Sequence, residues 1–409
     1  MAKLKKLTLL TSLYLAQGLP YGFFTQALPV FLREANLSLT AIGFTNLLTL
    51  PWALKFLWAP QVDRRRIPGL GLRKSWILPA QFASMTLYLV LATLTLRSGA
   101  LTAILTGCLL ANFFAASQDI ATDGTAVDIL EPEERGWANG IQVAGYRAGM
   151  IVGGGFLIIL YPKLGWSGDM LAMAALIALC TLPVLLYREP LDRPAPPKTR
   201  AALVETIDFF LKRGAVPWAV VLLLYKFGHA AASAMVRPWL VDNHYDFAEI
   251  GWILGSAGFV AGFLGALLGG FAARNPNRSR LLIIFGVIQV LGLASYVWPV
   301  LTEHATYKIV IAAALDNFTS GLATTVLFTI MMDACSRDRA ASDYTAQACA
   351  VVVSQTLAGA LGGMAAQAWG YPVFFAVCGV VGAGSLAVTA YVIGRTDVRE
   401  LIAVRSGNV

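Results

Sequence analysis

Gln118-Asp119-Ile120-Ala121-Thr122-Asp123-Gly124-Thr125-Ala126-Val127-Asp128-Ile129-Leu130-Glu131-Pro132-Glu133-Glu134-Arg135-Gly136 closes one long apolar run, which begins near Leu101, and leads into another that begins near Trp137. Its six carboxylates therefore stand at the end of one apolar helix and in the short link to the next. Asp119 and Asp123 are four residues apart and share a helical face. Apolar runs of this length are long enough to cross a bilayer. Ionisable groups within such a run are costly and face a cavity or a partner charge. Arg147, inside the next run, is the first cationic candidate downstream.

Composition agrees with a bilayer setting. Of 409 residues, 57% are hydrophobic and only 13% charged, against roughly a quarter charged in soluble domains. The net charge of +8 does not point to nucleic acid, because Lys and Arg are scattered over short links rather than gathered on one face. Five cysteines, Cys108, Cys180, Cys335, Cys349 and Cys378, have neither metal-ligand spacing nor a disulfide pattern. Lys3, Lys5 and Lys6 precede an apolar run that continues to about Leu32 with no small-residue cleavage site, so the run reads as a retained first span.

Apolar runs fall near 7–32, 39–60, 75–96, 101–127, 137–160, 168–187, 216–240, 249–272, 281–301, 307–332, 345–369 and 372–393, about twelve spans. The odd-numbered links offer only Arg33, Arg97, Lys163 and Lys308 as basic residues, while the ends and the even-numbered links hold most of the rest. That asymmetry predicts both termini in the cytoplasm. The Pro-rich link from Tyr187 to about Ala215 divides the spans six and six. The expected organisation is residues 1–187 as one six-helix bundle, 188–215 as a cytoplasmic connector and 216–409 as a second bundle with a short tail. Ala201–Leu211 of the connector suits a short amphipathic surface helix. This is the plan of the major facilitator fold, an all-α membrane architecture. Internal repetition supports it: Asp128 and Asp333, and likewise Gln142 and Gln347, are separated by 205 residues.

Candidate transport residues follow from polar groups inside spans. Gln17, Tyr21 and Gln26 flank Pro20 in span one and can offer hydrogen bonds to a substrate, or the segment can be a kinked helix packed through its glycines. Span seven carries Tyr225, Lys226 and His229, and Lys226 is too deep to snorkel readily. Span ten places Asp316 at similar depth, as a partner for Lys226 or a proton carrier. With Arg147 these form the expected substrate and coupling set. Lys55, Asp119 and Asp123 form an expected charge network, and Asp63, Asp128, Arg135 and Asp333 an expected gate near the cytoplasmic ends. No nucleophile–base set, metal cluster or phosphate loop is visible, so no enzyme and no cofactor is expected, and Gly153-Gly154-Gly155 reads as a helix-packing surface.

Gly18-Leu-Pro-Tyr-Gly, Leu54-Lys-Phe-Leu-Trp-Ala-Pro, Gln118-Asp-Ile, Pro132-Glu-Glu-Arg-Gly, Gly145-Tyr-Arg-Ala-Gly-Met and Leu224-Tyr-Lys-Phe-Gly resemble the AmpG-type branch of the major facilitator superfamily. That branch includes anhydromuropeptide permeases, acetyl-CoA transporters and siderophore permeases of the rhizobactin and pyochelin kind. The resemblance implies a monomeric permease of the bacterial inner membrane, surrounded by lipid and importing an organic solute with protons. His229 stands where muropeptide permeases often have aspartate, and the chain ends soon after span twelve, where they often carry further helices. The stretch from Tyr14 to Pro29 is more similar to the compact siderophore permeases. A ferric siderophore is therefore the expected substrate and an anhydromuropeptide the alternative. A membrane receptor or scaffold that binds without transporting is the competing class.

Overall fold

The computed structural model describes residues 3–28, 31–32, 48, 50–95, 100–190, 208–245, 247–275, 277–302 and 305–403. Most of the proposed connector helix lies outside these residues. Among the described residues the structure is helical, apart from one isolated bridge between Ile67 and Gly71. In chain order the helices are α1 Lys3–Gly22, α2 Leu50–Leu54, α3 Ala59–Val62, α4 Lys74–Thr93, α5 Leu101–Ile129, α6 Arg135–Ile151, α7 Leu157–Leu186 and α8 Ala215–Leu224. They continue with α9 Phe227–Asp242, α10 Phe247–Ile250, α11 Gly258–Ala272, α12 Arg278–Ala294, α13 Val297–Leu301, α14 Thr306–Asp333, α15 Ala340–Gly394 and α16 Thr396–Ile402.

Eight helices among the described residues are long and apolar enough to cross a membrane. Two of them, Arg135–Leu186 with 52 residues and Ala340–Gly394 with 55, exceed any single crossing, since about 20 residues suffice. Each is broken where the backbone takes a conformation open only to glycine: Gly165 at φ 63°, ψ −176° and Gly370 at φ 73°, ψ 161°. Each is therefore two spans, as the sequence pattern requires. Local irregularities follow from composition. Pro20 removes a donor from α1, which then widens into a π turn at Phe23–Ala27. The described part of span two is not one helix: a 3-10 turn, Lys55–Leu57, separates α2 from α3, whose first turn holds Pro60.

The chain forms two compact units. Unit 1 holds Met1–Ile129, Gly145–Thr206 and Ser336–Thr345, and unit 2 holds Leu130–Ala144, Ile207–Cys335 and Ala346–Val409. Unit 1 thus takes Ser336–Thr345 from late in the sequence, and unit 2 takes Leu130–Ala144 from early in it. The core of unit 1 gathers Phe23, Tyr88, Trp166 and Met170, and that of unit 2 gathers Trp239, Tyr296, Phe374 and Phe375. Large apolar side chains such as Leu179, Leu186, Val380 and Tyr391 remain exposed while polar groups such as Asp123 and Asp316 are buried. A chain that faces lipid has this inverted distribution.

Candidate functional site

In unit 1, α5 presents Asn112, Asp119 and Asp123 at spacings of seven and four, hence on one face. Lys55 Nζ pairs with Asp119, and both are buried. The Tyr14 hydroxyl donates to Asp123 Oδ1 at 3.2 Å. Trp52, one turn before Lys55, donates its indole N–H to Asn112 Oδ1 at 2.5 Å, and Lys55 Nζ lies 5.5 Å from the Trp52 ring centre. Tyr21 is half-buried against Trp52 and Tyr146. Gln17, one turn before it, is 1% exposed, with neither amide atom hydrogen-bonded among the described residues. A Cβ at Gly18 would collide with the carbonyl of Tyr146, so α1 and α6 pack backbone to backbone here. Arg147 is half-buried on the next residue of α6.

In unit 2, span seven is interrupted between α8 and α9, and Lys226 occupies the break with φ −103°, ψ 0°. Asp316, Ser320 and Thr324 follow at four-residue spacing on one face of α14. The expected Lys226–Asp316 pairing is not the one formed. Asp316 Oδ1 is 3.0 Å from His229 Nδ1, while Lys226 donates to Ser320 Oγ at 2.9 Å and Thr324 Oγ1 at 3.0 Å. His229 Nε2 is in turn 3.0 Å from Ser320 Oγ. Lys226 can only donate, so the Ser320 hydroxyl can give its single proton to His229 Nε2, and the His229 Nδ1–H then donates to Asp316 Oδ1. With imidazolium, Ser320 Oγ accepts from both cations through its two lone pairs. The same heavy-atom positions are thus compatible with either form of the imidazole. Tyr225 instead donates to the Leu282 carbonyl at 2.8 Å and, with His229, Gln289 and Leu293, borders a small cavity.

Two further clusters lie at the helix ends beside the basic links. In unit 1, Arg73 bridges Asp63 at 2.7 Å and Asp128 at 2.8 Å. Burial works against the Arg73 charge, but Asp128 and then Asp63 outweigh it, and its pKa is raised. Asp63 also caps the start of α15: it accepts from the Ser342 amide at 2.8 Å, the Ser342 hydroxyl at 2.6 Å and the Ala341 amide at 3.3 Å. In unit 2, Asp333 accepts from Arg135 Nη1 at 2.8 Å and Arg278 Nη1 at 2.6 Å, and Arg278 also holds the Pro132 carbonyl. The four expected gate residues thus fall into two clusters. Asp63 and Asp128 share one and Arg135 and Asp333 the other.

Sequence reasoning missed Arg73 and Arg278 as site residues, although Arg278 follows Arg73 by the same 205 residues that separate Asp128 from Asp333. That shared offset was the available signal. Tyr14, Trp52, Asn112, Tyr146 and Ser342 carried none, since neutral polar and aromatic residues are common in spans.

Comparison with known proteins agrees with the fold. Residues 10–352 match the family model described as Major Facilitator Superfamily. The anhydromuropeptide permease of Escherichia coli K12 is 32% identical over 370 residues, covering 88% of this chain and 74% of the permease. An AmpG-type transporter of Rickettsia conorii is 25% identical over 342 residues, 81% of this chain and 82% of its own length. Among solved structures, the human organic anion transporter TETRAN superposes with a TM-score of 0.75 over 95% of this chain and 100% of its own, at 14% identity. The proton:xylose symporter XylE, bound to 6-bromo-6-deoxy-D-glucose, gives 0.73 over 98% and 97%, at 11% identity. At such low identity these two structures speak to the fold alone. With its family model matched over most of its length and its permease relative aligned across 88% of its residues, the chain belongs to the Major Facilitator Superfamily of membrane transporters, in its AmpG-type branch.

Proposed function

We propose that this chain is a proton-coupled importer of an anhydromuropeptide, acting as a monomer in the bacterial cytoplasmic membrane with both termini inside. The observation that carries the reading is the 32% identity to an anhydromuropeptide permease over 88% of the chain. The siderophore expectation rested on His229, on the end of the chain soon after span twelve and on one short stretch, which weigh less than 370 aligned residues. Proton coupling is supported by the Lys226–Ser320–His229–Asp316 chain of hydrogen bonds, in which the imidazole has one nitrogen facing a carboxylate and the other a hydroxyl. Alternating access requires bonds that break and re-form at one end of the spans. The Asp63 cap on α15 and the Arg135–Asp333 pair, each linking one half of the sequence to the other, suit that role.

The test is uptake of labelled anhydromuropeptide into proteoliposomes under an acid-outside gradient, with a ferric siderophore as comparator. Gradient-driven accumulation of the muropeptide, abolished by a protonophore, is the expected outcome. Accumulation of the siderophore instead reverses the substrate assignment, and binding without accumulation leaves a receptor. His229→Gln and Asp316→Asn are expected to lose gradient-driven uptake while retaining substrate exchange at equilibrium. Retained gradient dependence in both removes the pair from coupling.

A further inference from the structure

We propose that Tyr21, Trp52 and Tyr146 form the wall of a subsite for a pyranose ring, with Asn112 and the Lys55–Asp119 pair supplying its polar edge. The inference rests on the muropeptide reading for which sugar is bound, a muropeptide being an amino sugar joined to a short peptide.

Three rings from three elements, α1, α2 and α6, converge pairwise. Tyr21 lies 5.9 Å from Trp52 at 81°, and 5.7 Å from Tyr146 at 47°. Trp52 and Tyr146 are 6.4 Å apart at 73°. They meet edge to face or tilted rather than as a flat stack. All three remain half-buried, whereas the packing aromatics of the same unit, Phe23 and Tyr88, are fully enclosed. Fixed charge lies beside the rings: the Lys55 ammonium stands over Trp52 and is paired with Asp119. Rings turned to lipid would not be built against an ion pair.

The Trp52 ring is also oriented. Its N–H is tied to Asn112 Oδ1, and Asn112 is 0% exposed, with its Nδ2 donor lacking a partner among the described residues. A buried amide donor beside an accessible indole and an ion pair is the arrangement that small-molecule sites use, apolar walls with a few placed polar groups. A pyranose matches it, with C–H faces for the rings and hydroxyl or acetamido groups for Asn112 and the ion pair. A cationic ligand does not match, because Lys55 already places positive charge over Trp52.

The experiment is competition against labelled anhydromuropeptide uptake by two fragments, the peptide-free anhydro amino sugar and the sugar-free peptide. Trp52→Leu and Tyr146→Leu are expected to weaken competition by the sugar about tenfold, the equivalent of losing one good aromatic contact. Competition by the peptide should not change. Trp52→Phe and Tyr146→Phe keep a ring, serve as folding controls, and should stay closer to wild type for the sugar. Equal weakening of both fragments, or no weakening of either, overturns the subsite. If the wild-type protein moves no anhydromuropeptide, the functional reading falls, and calorimetric binding of the peptide-free sugar decides this inference separately. Sugar binding that Trp52→Leu weakens sustains it, and absence of sugar binding to the wild type overturns it.

Discussion

Arg73 in unit 1 stands between two carboxylates, and Asp333 in unit 2 stands between two guanidiniums. The repeat has kept one ion pair, Arg73–Asp128 and Arg278–Asp333 at matching positions, and has changed the third member. Asp63 completes the first cluster; 205 residues later stands Leu268, which is exposed. Arg135 completes the second; 205 residues later stands Ala340, the first residue of α15. The difference follows from helix ends. Asp63 meets the start of α15, where unpaired amides and the positive end of the helix dipole favour a carboxylate. Asp333 is the last residue of α14, the negative end, and Arg135 the first of α6, the positive end. Each is badly placed for its own helix, and each corrects the other.

The largest effects should come from the shared arginines, and they should be unequal. Arg73→Gln leaves Asp63 and Asp128 buried without this cation, and is expected to cost about 3–5 kcal/mol, the usual loss for breaking a buried pair. Arg278→Gln leaves Asp333 still held by Arg135, so about 1–3 kcal/mol is expected, the scale of a lost charged hydrogen bond. Denaturation midpoints of the two purified variants in the same detergent measure the gap. Equal losses would mean that the third member does not matter and that the contrast between the clusters is only geometric.

The all-helical, many-span plan was legible because every span must hide its backbone in hydrocarbon, which forces a long apolar run each time. A carboxylate partner for Lys55, Asp119 or Asp123, was legible because deep opposite charges rarely stay apart, but spacing did not choose between them. The Lys226–Asp316 pairing was misassigned because depth was read without direction. Span ten runs antiparallel to span seven, so His229, one turn beyond Lys226, meets Asp316, while Lys226 meets Ser320 and Thr324 one and two turns further along α14. Arg73 and Arg278 were hidden by the rule that fills such links with arginine, which gives each basic residue a sufficient topological reason. Trp52 and Tyr146 were hidden by abundance, since aromatic residues are 11% of the chain and spacing alone does not say which of them meet.

A smaller effect separates the two clusters by location. Asp63→Asn keeps an acceptor for Ser342 but removes the charge that meets Arg73 and the dipole of α15; Arg73 stays held by Asp128, so about 1–3 kcal/mol is expected. Amide hydrogen exchange should quicken at residues 341–345 and stay unchanged at 135–139, where the Arg135–Asp333 pair is untouched. Parallel quickening at both places would show that the clusters open together, and would dissolve the distinction between an acid-capped and a base-capped end.

The smallest expected effect tests whether the Asp63 cap is a charge or a hydrogen-bond device. Ser342 supplies two of the bonds to Asp63 Oδ2, through its amide at 2.8 Å and its hydroxyl at 2.6 Å. Ser342→Ala removes only the hydroxyl and leaves the carboxylate, the amides and the helix dipole in place. A loss of about 0.5–1 kcal/mol is expected, near the lower end for helix-cap side chains. If the loss instead equals that of Asp63→Asn, the hydroxyl carries the contact, and the comparison shifts from charge placement to a single donor. If the midpoint is unchanged, the amides and the dipole suffice, and the contrast with the two-arginine clamp on Asp333 is purely electrostatic. Adding salt separates these last two outcomes in the double variant. A buried charge–dipole contact is screened only weakly, so Asp63→Asn in the Ser342→Ala background should lose nearly the same stability at low and high ionic strength.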